Sequence, residues 1–230
     1  MVTLNIEGSP RVVLLNPFPD DPKHGVPAFV KAFKDALQDK RILVGIEETR
    51  SWGELCNTFK MIPEKYEYNC LLIVTHGTAG HRVTFQDPAF PIPEDLDKVE
   101  FLGNLVAWSS WFRNAFDDKM LMIAACHSGT ELNSNPLLHS GMALHVLAPN
   151  PANPKLEVSK GAEAMALFLD LLAEKNITQL TPEHFSDSES QVNIKHPDTL
   201  KLWPYEADPE FVAHMSEELT KWWEEEGNQL

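Results

Sequence analysis

Two short apolar runs, each ending in a reactive residue, constrain this chain more than any other feature. The first is Cys70-Leu71-Leu72-Ile73-Val74-Thr75, closed by His76-Gly77. The second is Met120-Leu121-Met122-Ile123-Ala124-Ala125, closed by Cys126-His127-Ser128-Gly129. Apolar runs of this length, bounded by glycine, read as strands buried on both faces of a parallel sheet. Catalytic and binding groups of open α/β sheets collect at the carboxyl ends of such strands. One strand then delivers an imidazole, and the next a thiol, to the same sheet edge. That is the minimum equipment of a cysteine hydrolase.

The rest of the chain supports a layered α/β domain. Arg11 to Asn16 reads as a first strand, followed by the proline-rich loop Pro17 to Pro22. Val26, Phe29, Val30, Phe33 and Leu37 share one face of a helix over Val26 to Gln38. Ile42 to Ile46 is a second strand, and Trp52, Leu55, Phe59 and Ile62 mark a second helix. Arg82 to Gln86 alternates as a small hairpin does, and Phe101 to Phe116 has helical periodicity. Met142 to Ala148 is a fifth strand, Val158 to Glu174 a helix, Leu200 to Tyr205 a sixth strand, and Pro209 to Glu226 a final amphipathic helix. Residues 181–198 are polar and read as an irregular surface excursion. Strand alternates with helix for most of the length, as in a mainly parallel sheet covered on both faces. No internal repeat and no linker divides the chain, so residues 1–230 are expected to form one domain.

Composition narrows the chemistry. A formal charge of −15 disfavours nucleic acid, whose phosphates need Lys and Arg, and anionic membrane surfaces. No run reaches the length of a membrane span, and the first ten residues lack the pattern of a signal peptide. The three cysteines, Cys56, Cys70 and Cys126, are too few and too odd for a disulfide framework. A cytoplasmic location is expected on that ground. No metal-ligand spacing and no glycine-rich phosphate loop is present, so neither metal nor cofactor is expected.

His76 and Cys126 lie 50 positions apart, each at a strand end. A right-handed crossover sets such strands side by side or nearly so, about 5 Å apart. An adjacent imidazole activates a thiol and protonates a leaving amine. Gly77, with no Cβ, lets a scissile carbonyl approach the backbone, where the Gly77 and Cys126 amides would form the oxyanion hole. Each residue alone reads more readily as structure: Cys126 as a small buried hydrophobe and His76 as a polar strand end. Equivalent placement of both favours the dyad. His127, on the opposite face of an extended chain, is expected to pack or meet solvent elsewhere. Trp108 and Trp111 read as core and Cys56 and Cys70 as structural thiols; Trp222 and Trp223 cannot both face inward, which leaves a partner contact there as the lesser alternative.

The segments Val74-Thr75-His76-Gly77 and Ala124-Ala125-Cys126-His127-Ser128-Gly129 resemble the two signatures of the caspase-like cysteine peptidases, at a similar His-to-Cys interval. The Cys-His-Ser-Gly tetrad is most similar to metacaspases and bacterial caspase-like proteins. The resemblance implies a three-layer α/β sandwich with a mainly parallel six-stranded sheet, a core over about residues 11–205, and a thiol endopeptidase acting on a protein substrate. It also implies a possible regulatory protein partner, a role in bacterial defence or cell death, and an oligomeric state left open. By the same resemblance, Asp21, His81 and Ala124 would border the substrate. Three departures qualify it. Ala124 stands where caspases carry Gln and metacaspases Asp, so no charge preference carries over. Only 15 residues, 127–141, separate Cys126 from the fifth strand, which points to a single-chain enzyme. Pro149 to Glu157 replaces the caspase Trp-Arg pair. Two other readings stay open: a catalytically silent binding or scaffold module on the same fold, and a doubly wound nucleotide- or phosphoacceptor-type domain.

Overall fold

The structure is a computed structural model and describes residues 4–5, 11–20, 25–77, 83–84, 113–116, 119–129, 143–175, 179–180 and 182–204. Its elements in chain order are β1 (Leu4–Asn5), β2 (Arg11–Asn16), α1 (Val26–Ala36), β3 (Leu43–Glu48), α2 (Trp52–Lys65), β4 (Cys70–Val74), β5 (His76–Gly77), β6 (Val83–Thr84), α3 (Arg113–Phe116), β7 (Lys119–Ala124), β8 (Ala143–Pro149), α4 (Val158–Glu174), β9 (Gln179–Leu180), α5 (Pro182–Lys195) and β10 (Leu200–Pro204).

Six strands form the main sheet, in the order β10-β8-β7-β4-β2-β3. Five run parallel, and β10 closes one edge antiparallel to β8. The order reverses between β2 and β4, which places the topological switch point beside the strand that leads to His76. Strand alternation divides the buried side chains between two layers. Leu14, Leu72, Val74, Met122, Ala124 and Leu147 meet α1, α4 and α5. Leu15, Leu71, Ile73, Leu121, Ile123 and Val146 meet α2 and α3. The expected three-layer sandwich with a mainly parallel six-stranded sheet is therefore the observed one.

The sequence pattern explains each helix that flanks the site. Val26, Phe29, Val30 and Phe33 are the buried stripe of α1, whose start at Gly25 takes φ +76°, the left-handed region open to glycine. Ser51 caps α2, its Oγ accepting from the Glu54 amide at 3.2 Å. Small residues (Gly161, Ala162, Ala164 and Ala166) let α4 lie close against its neighbours.

Two expectations are corrected. Residues 182–195 form α5, not an irregular excursion. The strands also stop short of the reactive residues. β4 ends at Val74, and His76-Gly77 then peel away to pair antiparallel with Val83–Thr84, inside the expected hairpin. β7 ends at Ala124, so Cys126 lies in the turn beyond it. The final helix, and all of the 101–116 helix before Arg113, lie outside the described residues. No described helix is long and apolar enough to cross a membrane.

Candidate active site

The site begins with strand register. β4 and β7 pair in parallel from Cys70 opposite Met120 to Val74 opposite Ala124, a constant offset of 50 positions. The Thr75 amide extends the ladder by donating to the Ala124 carbonyl at 3.1 Å. His76 and Cys126 follow at that same offset, one from each strand.

Close backbone contact locks the two ends together. A Cβ on Gly77 would stand 1.6 Å from the Cys126 carbonyl oxygen and 3.1 Å from its amide nitrogen. No side chain fits there, so the His76-Gly77 and Cys126 peptides touch because residue 77 is glycine. Beyond Cys126 the chain turns sharply. His127 adopts φ +59°, unusual for a residue with a Cβ, and its N–H donates to the Pro154 carbonyl at 2.8 Å. Ser128 is buried, and both its N–H and its hydroxyl donate to the Ala125 carbonyl, the latter at 2.7 Å. His127 is thus half-buried in a left-handed turn, not a residue continuing an extended chain.

Three further residues hold the pair, and sequence reasoning assigned a role to none of them. Phe18 is fully buried, and its ring meets that of His76 edge-on, with centroids 4.6 Å apart. Its own amide donates to the buried Asn16 side chain at 3.0 Å, fixing the loop after β2. The Leu156 amide donates to the Cys126 sulfur at 3.4 Å. Pro154 holds the turn from the same segment. A signal for each was present. Phe18 is the lone apolar residue between two prolines. Leu156 precedes Glu157 at the start of α4 and packs on Gly161 one turn later, the arrangement of a hydrophobic staple.

His76, Gly77, Ala124 and Cys126 all line one cavity of about 280 Å³, walled by α1, α4 and the ends of β4 and β7. Four of the six expected site residues therefore meet at one place. Asp21 and His81 lie outside the described residues. Asp20, beside Asp21 in sequence, is exposed and ion-paired to Arg50 at 2.7 Å. Cys70 is buried within the sheet, and desolvation pushes its thiol pKa well up, as suits a structural residue.

No protein-family model matches the chain, and no curated protein matches it in sequence. Among solved structures, one match is the crystal structure of the Drosophila initiator caspase Dronc. It is 14% identical, covers 89% of this chain and 82% of that chain, and has a TM-score of 0.46. That protein is a caspase, so the match lends nothing to a metacaspase assignment. The functional reading below rests on the site and not on this likeness.

A thiol and an imidazole at neighbouring strand ends, two touching peptide groups and an adjoining cavity make up the inventory for acyl transfer.

Proposed function

We propose that this protein is a cysteine-type endopeptidase of caspase-like architecture, with Cys126 as nucleophile and His76 as general acid and base. The observation that supports it best is the shared register, which brings these two residues to one cavity rim.

The Cys126 thiolate attacks the scissile carbonyl carbon, forming a C–S bond. The carbonyl π electrons move onto oxygen, and the Gly77 and Cys126 amides hydrogen-bond the oxyanion. The tetrahedral intermediate collapses as His76 gives a proton to the departing amine. A thioester remains. Water, losing a proton to His76, attacks that thioester, and the tetrahedral species expels the thiolate and frees the carboxylate product. No step needs a metal or cofactor. The Leu156 N–H, 3.4 Å from the Cys126 sulfur, orients the nucleophile.

Cleavage of a peptide library by the purified protein, beside Cys126→Ala and His76→Ala, tests this reading. Loss of all turnover in the first variant and a loss of about 100-fold or more in the second are expected. Cleavage that survives Cys126→Ala would overturn it. Where the wild type cleaves nothing, an acyl probe that labels Cys126 only when His76 is intact would keep the reading, with the substrate narrower than the library. A probe that ignores Cys126 would leave the binding-module reading, which the small Ala124 side chain favours.

A further inference from the structure

The geometry points to an apolar side chain, of the size of leucine or methionine, as the residue on the acyl side of the bond this site cleaves. The inference rests on the peptidase reading and adds the substrate class to it.

Strand alternation sets the floor of the pocket. Ala124, the last residue of β7, faces the layer of α1 and α4, and Cys126 follows in the turn beyond it. Both line the cavity of about 280 Å³. Its walls are Val26 and Phe29 of α1, Val74 of β4, and Leu156 and Val158 at the start of α4. Among the described residues lining it there is no Asp, Glu, Lys or Arg. A charged substrate side chain entering here would lose its water and meet no counter-charge among the described lining residues. An apolar one would exchange water for methyl and ring carbons.

The pocket is also fixed in shape. Gly25 sits where a Cβ would come within 2.7 Å of Val158, so the starts of α1 and α4 close together at one wall. Val26 and Phe29 are each 3% exposed and held in the core. The methyl of Ala124 leaves the floor open, and a larger residue there would fill the depth that a substrate side chain needs. This floor position thus carries the smallest side chain with a Cβ.

Peptidyl acyloxymethyl ketones with Leu, Asp or Arg at the position nearest the warhead, the other positions randomised, provide the test. The readout is the rate of Cys126 alkylation by mass spectrometry. Leu should outpace Asp and Arg by about 100-fold, the size of an uncompensated desolvation. Ala124→Asp should raise labelling by the Arg probe at least tenfold over wild type. Ala124→Phe should suppress the Leu probe while iodoacetamide still alkylates Cys126, showing that the thiol stays accessible. Equal rates for all three probes, or an order unmoved by Ala124→Asp, would overturn the pocket assignment and leave the peptidase reading intact. Failure of every probe at an iodoacetamide-reactive Cys126 would instead count against the peptidase reading. Ligand-observed NMR of N-acetyl-leucine methylamide on Cys126→Ala then decides the pocket separately. Binding abolished by adding Ala124→Phe supports it, and absence of binding overturns it.

Discussion

At the scale of single residues, Gly77 is the most tightly constrained position in the site. Its missing Cβ is occupied by the Cys126 carbonyl oxygen. Gly77→Ala must push the two strand ends apart, and displacements near 1 Å at reacting groups cost about 100-fold in rate. The expected outcome is a kcat/KM lower by at least that factor, with a thermal midpoint also reduced, measured by peptide turnover and by differential scanning fluorimetry. Ser128→Ala is the contrasting case. It removes one buried hydrogen bond to the Ala125 carbonyl, which keeps the Ser128 amide as a donor. A loss of about 1 kcal/mol is expected in urea unfolding, with the turn and its His127 conformation retained.

At the scale of elements, α5 shows where the reading of the sequence stops short. The six main-sheet strands, α1, α2 and α4 were legible because their apolar runs and stripes are clean, whereas the two-residue strands β1 and β9 carry no such pattern. In α5 the inward stripe is Phe185, Ser188 and Val192, all buried, amid residues such as Glu189, Ser190 and Gln191. A serine in mid-stripe breaks the pattern, yet its hydroxyl donates to the His184 carbonyl at 2.9 Å and so hides its polarity within the helix. Tertiary packing, not amphipathicity, makes this helix. The meeting of His76 and Cys126 at one cavity was legible because the register of the two strands carries both there. Phe18 and Leu156 carried a local signal but no role, because their roles depend on loops that pack from a distance.

Beneath α5 lies a buried titratable group outside the catalytic inventory. His145 of β8 is 2% exposed, its ring stacks on Phe185 at 4.0 Å, and its Nδ1 has no hydrogen-bond partner among the described residues. Burial pulls its pKa from 6.5 down to about 4. The unfolded chain takes up this proton near pH 6.5 and the native fold only near pH 4, so stability falls as pH drops between those values and levels off below them. Urea midpoints across pH 7 to 4 should show this group's loss of about 3 kcal/mol in the wild type. His145→Leu should flatten that part of the profile.

At the scale of the whole molecule, the net charge of −15 acts over distance. Exposed pairs such as Lys31–Asp35 and Lys160–Glu157 are worth little singly. The unbalanced field is another matter, since it favours approach of basic partners and slows acidic ones. A cleavable peptide with lysines placed several residues from the scissile bond should lose kcat/KM several-fold as salt rises from about 0.01 M to 0.15 M, where the Debye length shrinks from about 30 Å to about 8 Å. A neutral-flanked peptide should not. Preference at the bond and preference in approach would then be set by different parts of the protein, an uncharged pocket and an acidic surface.

The β4–β7 ladder also carries a rule about lineage. Its offset never varies from Cys70 to Val74, whereas the opposite side of β7 does slip, between Lys119 paired with Ala143 and Met120 paired with His145. The irregularity there absorbs one residue at the far end of the strand from the thiol. Adding or deleting a single codon between Leu72 and Thr75 would have no such outlet. It would turn His76 to the other side of the sheet or drag it off the cavity rim. Relatives of this chain can drift in composition along these strands while His76 and Cys126 still meet at one cavity, but they cannot drift in length.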